Sequence, residues 1–166
     1  MSERDTIVGG SEVKYNGVFD MPLLYRRINE WLLRARFAPF KEVKYVERVK
    51  PFGKIIDFTW KTSKKDLDEY VLLEMEIKFL LVGLTEVEVD SQNGKLKLNK
   101  ADLQITFSSW MMRNNKKDWD DKSLFKRIYE RYIIRDVLER LKISLYKDTE
   151  TIVDETKNFL ALYRFK

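Results

Sequence analysis

Residues 70–83 have the sequence YVLLEMEIKFLLVG, in which apolar and charged side chains alternate along most of the segment. Successive side chains of a β-strand point to opposite faces, so this alternation predicts a strand with one apolar and one charged face. The charged face contains Glu74, Glu76 and Lys78, and the apolar face contains Val71, Leu73, Met75, Ile77, Phe79 and Leu81. Strands of this kind form an antiparallel sheet with one side on a core and the other in water.

The same alternation extends outward along the chain in both directions. It recurs over residues 12–18, 42–50, 54–63, 85–90, 95–98 and 103–111. Pro51-Phe52-Gly53 fits a β-turn, and Asn93-Gly94 is a strong hairpin signal. Gly83 interrupts the longest strand, which predicts a bulge or bend there. We therefore expect a curled antiparallel sheet of about six to seven strands.

Helical patterns flank the strands. Asp20 can cap an N-terminal helix that reaches about residue 37, with Pro22 in its first turn. A long C-terminal helix is expected from Asp121 or Ser123 to Tyr146, with a further helix after a kink or polar stretch at residues 148–150. The predicted class is α+β, with both main helices packed on one face of the sheet. We expect a flexible lead at 1–10, one domain at 11–146, and a helical appendage at 147–166 packed on that domain.

Cysteine and histidine are both absent. This excludes disulfides, thiolate nucleophiles, zinc-thiolate sites and imidazole bases, so carboxylates, lysines, hydroxyls and backbone groups are left for chemistry. The sequence has no calcium-loop spacing and no glycine-rich phosphate loop. We expect no metal site, no cofactor and no enzymatic activity.

The net charge of +5 allows nucleic acid, the ribosome or anionic lipid as partners. Dense lysine and glutamate without cysteine is also typical of proteins from hot environments, where the charges only solvate the surface. The candidate nucleic-acid-binding residues lie before and within the C-terminal helix: Arg113, Lys116, Lys117, Lys122, Lys126 and Arg127. Trp110 and Trp119 are candidates for stacking on bases.

Nothing in the sequence predicts a membrane span. No run of 18 apolar residues is present, and the first residues have no apolar segment typical of a signal peptide. A cytoplasmic location is therefore the expectation.

The order of elements, over residues 12–146, resembles the helix-grip fold of the START and polyketide-cyclase-like superfamily. The resemblance rests on element order and on no motif, and the helix after residue 147 departs from it. It implies a cavity between the sheet and the long helix that holds an apolar or amphipathic ligand. The candidate ligand-binding residues are Tyr45, Glu47, Phe58, Trp60, Met75, Phe79, Phe107, Ser109 and Tyr132. The alternative is that these residues fill a solid core.

Glu47 breaks the alternation, because it shares a face with Val43, Tyr45 and Val49. In an apolar cavity its pKa would be raised and it could act as an acid. The alternative is a position near the strand end, in solvent or paired with Arg131 or Arg135.

Three functions follow from these features. The leading interpretation is a non-enzymatic domain that binds an apolar or amphipathic ligand. The alternative is a basic adaptor that binds RNA, the ribosome or a protein partner through its helical surface. The third is an enzyme that uses Glu47. Leu72, Leu80 and Trp110 on the charged face suggest a covering by the last helix or by a second copy, as in a homodimer.

Overall fold

Five antiparallel strands and a set of helices make up the part of the chain that the computed structural model describes, which is residues 3–38, 40–66, 69–114 and 124–164. The strands are β1 (Glu3–Phe19), β2 (Lys41–Lys50), β3 (Gly53–Asp66), β4 (Val71–Ser91) and β5 (Gly94–Arg113). The helices are α1 (Met21–Arg34), α2 (Leu124–Ile128), a π-helical segment (Tyr129–Ile133) and α3 (Arg135–Ala161). The predicted α+β class with a long C-terminal helix is confirmed.

The strands form one sheet in the order β1-β5-β4-β3-β2, and every neighbouring pair is antiparallel. The chain meanders from β2 to β5, and β5 then pairs with β1, the first strand. The sheet is open, with β1 and β2 at its edges. We call the face that packs on α1 and α3 the inner face, and the opposite face the outer face.

The prediction of six to seven strands is wrong in number, because two pairs of predicted strands are each one continuous strand. β4 runs through Gly83, where the register with β5 shifts between Val82 and Thr85. This confirms the predicted bulge, which absorbs one extra residue without ending the strand. β5 likewise runs through Asn99 and Lys100, which pair with β1 and β4. The break expected between the predicted strands at 95–98 and 103–111 is therefore absent.

The N-terminal residues also differ from the prediction of a flexible lead at 1–10. Residues 3–10 belong to β1, where Glu3 pairs with Arg113 and Asp5 with Met111. Register shifts between Thr6 and Val8 and between Val8 and Ser11 hide the alternation in the sequence. Glycines in this stretch made it resemble a loop, but β5 provides a partner for its backbone groups.

The C-terminal helix breaks at a different place from the one expected. Residues 148–150 were expected to be a kink or only a polar stretch, and they are a polar stretch inside α3, which is continuous through them. Thr149 donates a hydrogen bond to the carbonyl oxygen of Leu145 (2.8 Å), one turn back. The break lies instead at Ile134, whose N–H bonds to the carbonyl oxygen of Tyr129 five residues earlier. A π turn therefore separates α2 from α3.

The core lies between the inner face and the two long helices. Asp20 caps α1 by accepting a hydrogen bond from the Leu23 N–H (3.0 Å), as predicted. α1 buries Leu24, Ile28, Trp31 and Leu32. α3 packs on β1 and β5, and its buried residues are Leu138, Leu145, Thr149, Ile152, Val153, Thr156, Phe159 and Leu160.

Gly53, the first residue of β3, lies in close contact with Gly83 in the bulge of β4. Gly53 has a φ of +127°, and a Cβ placed on it would lie 2.7 Å from the carbonyl carbon of Gly83. No side chain fits at that distance, because the neighbouring atoms belong to the backbone. Gly94 has a similar φ of +116°, but a Cβ placed there would meet no atom within 4 Å.

Gly53 and Gly94 give a matched test of the close approach. We expect Gly94→Ala to destabilise the fold by about 1 kcal/mol, through its left-handed backbone alone. Gly53→Ala adds the clash with Gly83, so we expect a loss of about 3 kcal/mol or more. Urea unfolding followed by circular dichroism measures both. If both variants lost the same free energy of unfolding, the close approach of Gly53 to Gly83 would not limit the size of the residue at position 53.

Candidate functional site

Most residues predicted to line a ligand cavity pack against one another in the core. The rings of Phe58 and Phe79 stack with centroids 4.4 Å apart, and the Trp60 ring lies 5.0 Å from Phe79. Met75, Phe107 and Ser109 are also fully buried. The Ser109 hydroxyl lies 2.9 Å from the Thr149 hydroxyl and so joins β5 to α3. Contacts among these residues therefore fill the core, although the buried indole N–H of Trp60 has no hydrogen-bond partner in the part of the chain that the structure describes.

Tyr45 and Glu47 lie on the edge strand β2, outside this core, and Tyr45 is 52% exposed. Glu47 accepts a hydrogen bond from the Tyr45 hydroxyl (2.9 Å) and pairs with Lys54 (2.9 Å). The hydrogen bonds from Lys54 and Tyr45 hold the pKa of Glu47 below its ordinary value. The alternative given for Glu47 therefore holds: it lies in solvent near the end of β2, its pKa is not raised, and its partner is Lys54 and not Arg131 or Arg135. A carboxylate that stays ionised is poorly suited to act as an acid.

Two of the predicted nucleic-acid-binding residues belong to a polar network below the C-terminal helices. Lys126 is 1% exposed, and its Nζ lies 2.8 Å from a carboxylate oxygen of Glu3. Arg113 contacts Glu3 (2.6 Å), Asp5 (3.2 Å) and Glu130 (2.9 Å). These contacts balance the charges of Lys126 and Arg113 inside the protein. The network ties β1 and β5 to α2 and the π segment.

Tyr70 extends the network to the start of β4. Its hydroxyl donates a hydrogen bond to Glu130, and the Tyr129 ring lies edge-on to the Tyr70 ring at 5.6 Å. Burial, together with the hydrogen bond to Glu130, raises the pKa of Tyr70 far above its ordinary value. Tyr70 is therefore a permanent hydrogen-bond donor to Glu130.

Three arginines form a row on the exposed side of the C-terminal helices. Arg127, Arg131 and Arg135 are exposed, and no carboxylate of the described residues lies within ion-pair distance of them. An α-helix has about 3.6 residues per turn, so residues four apart do not lie directly above one another. The π turn between Arg127 and Arg135 contains more residues per turn, and this brings the three arginines back into line. Successive arginines are roughly 6 Å apart along the axis, given a rise of about 1.5 Å per residue. We call these three residues the arginine row.

Beside the arginine row lies a ridge of exposed apolar side chains. Tyr132 is 72% exposed and Phe125 is 78% exposed. Leu124, Ile128 and Ile133 are exposed as well. We call these five residues the apolar ridge. Lys126 and Ile134 are buried on the opposite side of the same helical stretch, which explains why the ridge points away from the body.

The arginine row lines an open groove of about 380 Å³, bounded also by Arg113, Leu138 and Lys142. Two acidic residues border it: Glu130 is held by Arg113 and Tyr70, and Glu139 lies 3.7 Å from Lys142. Their charges therefore have cationic or hydroxyl partners of their own. The three arginines have no acidic partner in the part of the chain that the structure describes, so the groove presents net positive charge.

The remaining predicted residues fall into two groups. Trp110, predicted to stack on bases, is covered: Arg4 lies 3.8 Å from its ring, and its indole N–H donates to Glu74. Lys116, Lys117, Lys122 and Trp119 lie outside the described residues. The sequence prediction did not select Arg131 or Arg135. Their spacing of four from Arg127 was a usable signal, but acidic neighbours in the sequence hid it.

Comparisons with known proteins add no family: no protein-family model matches the chain, and no curated protein matches its sequence. The resemblance to the helix-grip superfamily stays a prediction. Over the described ranges, no helix combines the length and apolar character that crossing a membrane requires. Within the same part of the chain, no cluster of acidic side chains has the geometry of a metal site.

The polar network predicts that Lys126 supports the fold. We expect Lys126→Ala to lower the free energy of unfolding by roughly 1.5–3 kcal/mol, because it removes a buried charged hydrogen bond and the packing of the lysine stem. Lys147→Ala, at an exposed position of α3, should change it by less than about 0.5 kcal/mol. Thermal unfolding of both variants is the measurement. Equal stability would show that Lys126 contributes nothing by its burial.

Proposed function

We propose that this protein is a non-enzymatic adaptor that binds single-stranded RNA through its C-terminal helices. The arginine row is the observation on which the proposal rests. Three guanidinium groups in one line, without acidic partners among the described residues, suit a chain of phosphates. Structural ion pairs would have neutralised them, as they neutralise Arg113 and Lys126.

The aromatic residues of the apolar ridge support single-stranded RNA over a duplex. Tyr132 is next to Arg131, whose guanidinium lies 5.6 Å from its ring. Bases of a single strand are free to stack on exposed aromatic rings, whereas those of an A-form duplex are enclosed. Tyr132 and Phe125 would hold bases while the arginine row holds phosphates.

An apolar ligand between the sheet and α3 is less well supported. Most of the residues proposed to line its cavity pack together in the core, so a ligand would have to separate them, and Tyr45, Glu47 and Tyr132 are exposed outside it. Such an opening would cost the packing energy of several large side chains. A surface function needs no such rearrangement.

A second candidate partner is an anionic membrane surface. The aliphatic residues of the apolar ridge, Leu124, Ile128 and Ile133, favour it, because nucleic acid offers them little contact. A basic amphipathic helix can lie in the lipid interface with its apolar side in the acyl boundary. RNA and an anionic membrane would both bind the arginine row, so variants of the apolar ridge are needed to distinguish these two partners.

The first test removes the arginine row. We expect Arg127→Ala, Arg131→Ala and Arg135→Ala together to weaken binding to a labelled polyuridine oligonucleotide. The slope of log K against log salt should fall by about two, since each lost phosphate contact contributes about 0.7 for a single strand. Fluorescence anisotropy over a salt series measures this. The control is Arg26→Ala, Arg34→Ala and Arg48→Ala, which has the same net charge; an equal loss there would refute a localised site.

The second test separates RNA from membrane. Leu124→Ser with Ile128→Ser should leave oligonucleotide affinity within about twofold, because Tyr132 and the arginine row remain. Binding to phosphatidylserine vesicles, measured by co-sedimentation, would fall by more than tenfold if these side chains insert, at about 0.8 kcal/mol per buried CH₂. Loss of vesicle binding in a protein that never bound RNA would replace the first candidate by the second.

A further inference from the structure

The end of the β4–β5 hairpin projects beyond the rest of the sheet. Pairing of β3 with β4 ends at Lys54 and Leu84, and pairing of β1 with β5 ends at Phe19 and Asn99. Past these points β4 and β5 pair only with each other, as far as Ser91 and Gly94. We call residues 85–98 the ribbon arm. A two-stranded ribbon alone is at best marginally stable in water.

The bulge at Gly83 turns the apolar side of the ribbon arm to the outer face. On β5, residues 98 and 96 follow Gln104 in steps of two without a shift, and Gln104 pairs with Leu80 on the outer face. Val87 pairs with Leu98, and Val89 pairs with Leu96, so both pairs lie on that face. The alternation in the sequence predicts an inward position for all four residues, and this is wrong. The extra residue of the bulge lies in β4 and reverses the side of Val87 and Val89, whereas Leu96 and Leu98 are outward because β5 continues through Asn99 and Lys100 without a break.

The two faces of the arm differ sharply in chemistry. Its inner side has charged cross-strand pairs, such as Glu88 with Lys97 and Asp90 with Lys95. Its outer side has the two apolar pairs, where Leu98 is buried and Leu96 is 48% exposed. Further along the outer face, Lys100 and Asp102 follow Leu98 on β5 and are exposed, and beyond them lie the exposed Leu80 and the half-buried Val82 and Ile55. Helices α1 and α3 lie on the other face and do not cover it.

A second copy of this chain fits this apolar strip better than a charged partner. The four apolar residues of the strip attract neither phosphate nor basic surfaces. The two charged residues next to them on this face, Lys100 and Asp102, have opposite signs, so the surface has no net charge that would repel its own image. The arm extends roughly 24 Å, at about 3.4 Å per residue. With the adjoining residues, a face of this length would bury roughly 500 Å² on each copy, and the total of about 1,000 Å² meets the lower limit for a specific interface.

We propose that the outer apolar strip of the ribbon arm packs on the same strip of a second copy, forming a symmetric homodimer. Two sheets stacked face to face lie about 10 Å apart, which lets Val87, Val89 and Leu96 interdigitate with their counterparts. The charged inner side of each arm stays in water. The small area predicts a dimer that dissociates in the micromolar range.

Sedimentation velocity on the full chain tests the proposal. We expect a concentration-dependent shift from monomer to dimer between about 1 and 200 µM. Leu96→Lys should raise the dissociation constant by more than tenfold, because it would bury an unpaired charge. Lys97→Glu, on the opposite side of the same strand, should leave it within twofold. A chain that is monomeric throughout, or a dimer that Leu96→Lys leaves intact, overturns the proposal.

A second measurement does not depend on the stability of the Leu96→Lys variant. The chain contains no cysteine, so Lys97→Cys, on the side of the arm that stays in water, gives a single site for a nitroxide label. A symmetric dimer through the arm gives an intermolecular dipolar distance that disappears on dilution with unlabelled chain. Labelled Arg26→Cys, on the surface of α1, should give no distance as short. Absence of an intermolecular distance at Lys97→Cys, at concentrations where the labelled dimer sediments, would place the interface elsewhere and refute the arm.

Discussion

The rest of the structure depends on how β4 passes Gly83. Before the bulge, the apolar residues of β4 face α1 and α3 and form the core with β3 and β5. After it, the apolar residues face away from the helices. The same alternation in the sequence thus builds a core along one part of the strand and an outer apolar strip along another. The close approach of Gly53 to Gly83 fixes where the change occurs, because β3 ends its pairing there.

A second constraint is the placement of charge around the C-terminal helices. Glu3, Asp5, Glu130 and Glu139 lie within ion-pair distance of Arg113, Lys126 or Lys142, so each cation of this group has an anionic partner. The network draws Lys126 inward and thereby turns Arg127 outward, since adjacent residues on a helix point in different directions. The π turn then keeps Arg131 and Arg135 on the same side as Arg127. The same orientation of the helical stretch therefore buries the ion pair of Lys126 and exposes the arginine row.

The sequence predicted most of the local elements correctly, but it did not predict which face of the sheet some of their side chains occupy. Alternation in residues 71–81 predicted the buried side of β4, and Asp20 and Gly83 marked a cap and a bulge correctly. It could not show that the bulge reverses Val87 and Val89, because the direction depends on which strand holds the extra residue. Nor could it show that β2 is an edge strand whose Tyr45 and Glu47 lie in solvent. Position within a sheet is set by long-range pairing, which a local pattern does not contain.

Long-range contacts also determine which basic residues are buried and which are exposed. Arg113, Lys126 and Arg127 look alike in the sequence, yet two are balanced in the interior and one is exposed with no acidic partner among the described residues. The contacts with Glu3, Asp5 and Glu130 separate them, and Glu3 and Asp5 lie more than a hundred residues away in the sequence. If the ribbon arm joins two copies, the arginine rows are also doubled. Two linked sites raise the apparent affinity for a long single strand through effective concentration, so weak contacts on each copy would be enough for tight binding.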